Sequence, residues 1–179
     1  MRVRGTRVAG AVLAVVVALG GCASLPGAPA VEARDVDESF ELVLRVGSAR
    51  YTENQPIDAS ATLSYFGPEP GIDLVGSGSG LIGFSAKQLD GRLHIGGAST
   101  DDCRQYRLDR ARPLVQPYEK AGGWSNDDAD AGFYRAFFAD PLFRLPRGRW
   151  QISAVAAFTV EECGGVAHAL ETELTIVVE

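Results

Sequence analysis

Two histidines (His94, His168), three cysteines (Cys22, Cys103, Cys163), two lysines (Lys87, Lys120) and one methionine are all that this chain of 179 residues contains of those types. Metal centres and base-assisted nucleophiles draw mostly on His and Cys. That chemistry is thinly supplied, so no metal-ligand set, catalytic residue or cofactor is assigned. Nor does any apolar run reach the roughly 20 residues that a spanning helix needs. Basic residues are few, and three of the 17 Lys and Arg (Arg2, Arg4, Arg7) lie in the first 21 residues, which hold no acid. The rest of the chain carries 14 basic and 23 acidic residues, a net charge of −9. Nucleic acid and anionic membrane surfaces both select clustered Lys and Arg, so neither suits this body as its main partner. What is present is 46% apolar and 22% charged residues, a balance that builds the core of one ordinary domain.

The first residues carry the clearest message. After the basic stretch Met1–Arg7, Val8–Leu19 is almost unbrokenly apolar. Those twelve residues would cover about 18 Å as a helix, short of the roughly 30 Å hydrocarbon core and suited to the core of a signal peptide. The run closes on Leu19-Gly20-Gly21-Cys22. This ending resembles the lipobox of bacterial lipoproteins, and the resemblance implies cleavage before Cys22 and lipid attachment to it. Several acyl chains on one cysteine give the stable anchoring that a single chain does not. Ala23–Glu38, rich in Pro, Ala, Gly and charge, then reads as a flexible tether. With Cys22 lipidated, Cys103 and Cys163 remain as a pair in an exported, oxidising setting, where a disulfide is expected. Its loop of 60 residues would be worth on the order of 4 kcal/mol in the chain-entropy model.

From residue 39 onward the period is two. Phe40, Leu42, Leu44 and Val46 alternate with other residues, as do Ile57, Ala59, Ala61 and Leu63. Trp150 to Phe158 and Leu170 to Val178 do the same, and predict a final hairpin over 149–160 and 167–178 with Cys163 near its turn. Gly67-Pro68, Asp90-Gly91, Pro146-Arg147-Gly148 and Gly164-Gly165 punctuate these runs. The pattern predicts an antiparallel β-sandwich over 39–179. One segment departs from it. Ser125 or Asn126 can cap a helix over 127–139 with Asp127, Asp128 and Asp130 in its first turn and Asp140-Pro141 as its stop.

Tyr51-Thr52-Glu53-Asn54-Gln55-Pro56-Ile57, Leu63-Ser64-Tyr65-Phe66-Gly67 and Leu145-Pro146-Arg147-Gly148-Arg149-Trp150-Gln151-Ile152 resemble turn-and-strand signatures of bacterial immunoglobulin-like domains, including the intracellular proteinase inhibitor type. The resemblance implies an immunoglobulin-like sandwich and, as an alternative function, inhibition of a secreted protease. Asn54 stands where that pattern has Gly, and Asn is tolerant of the left-handed conformation the turn requires.

Each candidate site has a plainer reading beside it. Gly78-Ser79-Gly80-Leu81-Ile82-Gly83 satisfies GxGxxG, but a dinucleotide site needs those glycines to open a helix. The alternation of Phe84, Ala86 and Gln88 that follows implies a loop entering an edge strand instead. Asn126, Asp128 and Asp130 have the first spacings of a calcium loop, with Ala131 and Phe137 where that loop needs Gly and Glu. His94 and His168 lie on expected strands without a nucleophile signature, so a hydrolase is the least favoured alternative. Loop residues Trp124 and Tyr118, with Ser77 and Ser79 of the glycine-rich loop, are the candidate binding residues. The composite expectation is a lipid-anchored, extracytoplasmic, non-catalytic module that binds an envelope protein or glycan.

Overall fold

Burial follows the alternation. In the computed structural model, which describes residues 29–97, 99–100 and 102–179, Phe40, Leu42, Leu44 and Val46 of one strand are all shielded from solvent. Ala59, Ala61, Leu63 and Tyr65 of the next long strand join them. The segment read as a signal peptide and Cys22 lie outside the described residues.

Those two strands, β2 (Phe40–Val46) and β4 (Ala59–Tyr65), pair antiparallel from Phe40↔Tyr65 to Val46↔Ala59. β1 (Val31–Val36) flanks β2 and β9 (Leu114–Pro117) flanks β4, giving a four-stranded sheet in the order β1-β2-β4-β9. The second sheet is built on the expected hairpin, β10 (Gly148–Val160) and β11 (Ala167–Val178), paired from Gly148↔Val178 to Thr159↔Ala167. β3 (Arg50–Tyr51) runs parallel to the end of β11. The other edge of β10 is divided: β6 (Ile82–Gln88) pairs with residues 150–156 and β5 (Gly71–Gly76) with residues 158–160. β8 (Arg104–Asp109) lies outside β5 and β7 (His94–Ile95) outside β6. The described residues are thus mainly β, two sheets packed as a sandwich with one short helix.

The two inner faces meet through large side chains. Trp150 is fully buried, with its indole N–H satisfied by the carbonyl of Pro146 at 2.9 Å. Phe40 packs edge-on against Phe158 at 4.8 Å between ring centroids and joins the sheets at one end. Asn54 takes the left-handed conformation (φ 69°), as its place in the turn motif required. Cys103, just before β8, is bridged to Cys163 in the β10–β11 turn, the expected pairing.

Two expected boundaries move. Residues 31–36, read as tether, form the edge strand β1, so the sandwich begins before residue 39. Val31, Ala33 and Asp35 are half-buried between exposed Glu32, Arg34 and Val36, an alternation too polar to stand out in a Pro- and Ala-rich stretch. The Asp35 carboxylate accepts the amide N–H of Glu171 at 2.9 Å, which ties β1 across to β11 and closes that side of the sandwich. The helix, α1, covers Ala131–Ala139 rather than 127–139. The residues expected in its first turn are engaged locally instead: Ser125 N–H donates to Asp128 Oδ2 at 2.6 Å, and Asp127 N–H to Ser125 Oγ at 3.2 Å. Such side-chain turns compete with helix. The Asp130 carboxylate caps nothing because it pairs with Arg92 at 2.7 Å.

The far end of α1 stops at Asp140, whose backbone is extended ahead of Pro141. Lys120 reaches there from the segment after β9. Its ammonium donates to the carbonyls of Phe137 and Asp140 and lies 4.0 Å from the centroid of the Phe137 ring. It therefore satisfies helix-end carbonyls that have no internal partner and opposes the negative end of the helix dipole. Lys120→Met keeps the apolar stem and removes these bonds. Its expected cost is about 1–2 kcal/mol of stability, read by urea unfolding.

His168 is packed in the sheet against Phe40 and Phe158, with Nδ1 2.6 Å from Asp37 Oδ2. Asp37 also accepts the amide N–H groups of Ser39 and Phe40, each at 2.8 Å. Burial would raise the pKa of Asp37, but the Ser39 amide, His168 and the Phe40 amide outweigh it and hold the carboxyl below its ordinary value. The resulting stabilisation is complete above about pH 4, the unfolded-chain range, and is lost as pH falls through the lower folded value. Asp37→Asn removes this contribution, so its melting temperature is expected to fall less steeply with acid below about pH 4 than that of the wild type.

Candidate functional site

β5 and β6 run in the same direction along one edge of β10, nearly as a single line. β5 ends at Gly76 opposite Phe158, and β6 begins at Ile82 opposite Ala156. Residues 77–81 therefore make an excursion over the one unpaired position, Ala157. The glycine-rich sequence permits it. Ser77 and Gly80 close a tight turn, with the Gly80 N–H on the Ser77 carbonyl at 3.0 Å and Gly80 at φ 121°, a conformation that L side chains rarely adopt. The GxGxxG residues thus lead into a strand, as the alternation after them implied, and open no helix.

Where the line leaves β10, a cleft of about 300 Å³ opens beside the meeting edges of the two sheets and reaches onto the outer face of β6 and β10 at Gly83, Ser85, Val155 and Ala157. It lies on the side where β9 faces β6, away from the side that β1 closes. Ser77, Ser79 and Gly80 form one wall. Ile82, Phe84, Val155 and Ala157 supply apolar surface, and Gln116 and Glu119 stand across from the loop. Gln116 Nε2 donates to the carbonyl of Ile82 at 3.1 Å and bridges the two sheet edges as a strand partner would.

The loop is braced by hydroxyls. Ser77 Oγ lies 2.6 Å from Ser79 Oγ and 3.0 Å from Thr100 Oγ1, and accepts the Thr100 amide N–H at 2.8 Å. Thr100 Oγ1 bonds in turn to Asp102 Oδ1, which also takes the Gly78 N–H at 2.8 Å. The Thr100 hydroxyl first, and then the Gly78 amide, hold the Asp102 carboxyl below its ordinary pKa. Behind the loop, Tyr106 of β8 donates to the Ser77 carbonyl at 2.5 Å. Asp102 adjoins Cys103, so the disulfide anchors the brace to the final hairpin.

Of the four candidate binding residues, the structure brings Ser77 and Ser79 to the cleft. Tyr118 is stacked on Phe143 at 3.7 Å and tilted against Phe84 at 5.3 Å, and burial pushes its phenol far above the ordinary pKa. It covers the core. Trp124 is half-buried beneath the Arg135 guanidinium of α1, 5.1 Å from the ring centroid, and lies outside the cleft lining. The sequence reading missed Gln116 and Glu119. Gln116 lies within β9 and Glu119 just after it, in a stretch without motif, and only the meeting of the two sheets brings them opposite the loop.

Among the described residues, no group of three or more His, Cys, Asp or Glu is placed to hold a metal ion. The residues with calcium-loop spacing point to separate partners: Asn126 to Arg135, Asp128 to Ser125 and Asp130 to Arg92. His94 is exposed on β7, where its backbone exchanges hydrogen bonds with the Tyr134 hydroxyl. No known family model matches the chain, and a search of curated proteins finds no match to it.

The brace has one steric condition. A Cβ on Gly78 would stand 2.1 Å from Asp102 Oδ2, so Gly78→Ala must push the carboxylate away from both its donors. The fold itself loses nothing, since the obstacle is the tip of an exposed side chain. The expected result is a rise of the Asp102 pKa toward the ordinary value of about 4, followed by carboxyl-carbon NMR, with the melting temperature moved by less than about 3 °C.

Proposed function

We propose that this protein is a lipid-anchored, non-catalytic binding module of the bacterial cell envelope. Cys22 holds it on the extracytoplasmic face of the membrane, and it captures its ligand in the seam cleft. Support for the anchor is the order of basic start, short apolar core, small residues and cysteine at the N-terminus. The observation that carries the binding reading is the cleft itself. Its volume of about 300 Å³ is in the range of small-ligand sites, and it combines apolar walls with a few convergent polar groups. A site of that size suits a small molecule or one side chain of an envelope partner better than a broad protein face.

Cross-linking in the native membrane, followed by mass spectrometry of the captured species, tests both parts. Cys22→Ala is expected to move the chain from the membrane fraction to the soluble one. Ala157→Phe fills the cleft from an exposed position on β10. It is expected to abolish capture while leaving the melting temperature within about 2 °C of wild type. Retention of Cys22→Ala in the membrane would refute the anchor, and undiminished capture by Ala157→Phe would refute the cleft.

A further inference from the structure

The polar atoms of the cleft are biased toward acceptors, and the bias can be traced atom by atom. Asp102 is ionised at neutral pH and can only accept. The Thr100 hydroxyl, in contact with Asp102 Oδ1, must therefore donate to it. A hydroxyl has a single hydrogen. The 3.0 Å contact between Ser77 Oγ and Thr100 Oγ1 is then a bond only if Ser77 donates. Ser77 Oγ also accepts the amide N–H groups of Thr100 at 2.8 Å and of Ser79 at 3.2 Å, so with its hydrogen on Thr100 the 2.6 Å contact is a bond only if the Ser79 hydroxyl donates and shares a lone pair with the longer of those amide contacts. One assignment makes all three contacts hydrogen bonds, and it ends at Ser79 with the hydrogen spent and lone pairs left for the cleft.

Gln116 repeats the pattern on the other wall. Only its NH₂ group can donate to the Ile82 carbonyl, so the amide orientation is determined and Oε1 remains, beside Gly80. Glu119 is a third acceptor and the sole charged side chain among the described lining residues. The hydroxyls of Ser85 and Ser99 can turn either way. No Lys or Arg lines the cleft among the described residues, and Arg104, which donates to the Gly78 carbonyl at 3.4 Å, stands outside the lining and faces Asp102, so a phosphate or carboxylate in the cleft would meet the Glu119 carboxylate first. Leu81, Ile82, Phe84 and Val155 offer a wall for an apolar body.

We propose that the cleft takes a primary ammonium group carried on a short apolar chain, with Ser79 Oγ, Gln116 Oε1 and the Glu119 carboxylate as its acceptors. An ammonium has three donors and no acceptor, the complement of that set. The free volume holds about ten water-sized groups at roughly 30 Å³ each, which limits the ligand to a small amine or a single lysine side chain. The inference rests on the binding reading above and narrows it to a ligand class.

The test uses the full-length, ¹⁵N-labelled chain at pH 7 and three probes with one body and different ends: 2-phenylethylamine, 2-phenylethanol and phenylacetate. The amine is expected to shift the amide signals of Ser79, Gly80 and Gly83 saturably, with at least about tenfold tighter binding than phenylacetate. Glu119→Gln and Ser79→Ala are each expected to weaken the amine about threefold to tenfold, while Glu119→Gln leaves 2-phenylethanol unchanged. Equal binding of phenylacetate or 2-phenylethanol would overturn the ammonium assignment and leave the cleft standing as a site. If none of the three shifts those amides, the cleft reading falls as well. A fourth probe, Nα-acetyl-lysine N-methylamide with its side-chain amine free, separates the two sources: tighter binding than 2-phenylethylamine would place the expected ammonium on a protein side chain, and the reverse would place it on a free amine.

Discussion

One backbone edge has to serve two strands. β10 spends its whole length on β11 along one side, while on the other its hydrogen-bonding groups are shared between β6 and β5. Because β5 and β6 follow one another along that edge in the same direction, the chain between them can neither pair nor reverse. It has to bulge outward and return, as an extra stretch in a β-ladder does. The cleft is the space this excursion leaves over Ala157. The glycines at the excursion are consequences of the same constraint: Gly80 turns at positive φ, and Gly78 leaves room for the carboxylate that braces the loop.

The two sides of the sandwich are closed by different means. On the β1 side, backbone pairing with β2 and the Asp35–Glu171 bond seal the edge, and the Asp37–His168 contact ties the β1–β2 turn to β11. On the β9 side no strand spans the seam among the described residues, and a side chain, Gln116, reaches across instead. β9 is also blunted as a docking edge, because Pro117 has no N–H to offer an added strand. What the seam offers a ligand is therefore side-chain chemistry in a confined space. The disulfide lies behind the brace, so the bond that constrains the unfolded chain also steadies one cleft wall through Asp102.

The strands with a buried face were legible because their periodicity is a direct record of burial. Phe40 to Val46, Ile57 to Leu63 and Trp150 to Phe158 each send alternate residues inward, and each does so in the folded chain. The disulfide was legible by elimination, and the stop of α1 by the restriction Pro141 places on Asp140. β1 was not, because an edge strand half-covered on one face needs little apolar content. The start of α1 was not either. Ser125 and Asp128 satisfy each other as readily in a turn as in a helix cap, and Asp130 is drawn away by Arg92, 38 residues distant in sequence.

Local chemistry by itself determined the alternation that makes a sandwich, the turn at Asn54 and the looping of the serine–glycine stretch. Each depends on residues adjacent in the chain, whose conformational preferences act over a few positions. Only the tertiary structure decided that Ser77 and Ser79 face Gln116 and Glu119, that Tyr118 serves the core, and that Trp124 lies under Arg135 outside the cleft. Those facts depend on where two sheet edges come to rest against each other. That position is set by the packing of Phe40, Trp150, Phe158 and their neighbours, which no local pattern encodes.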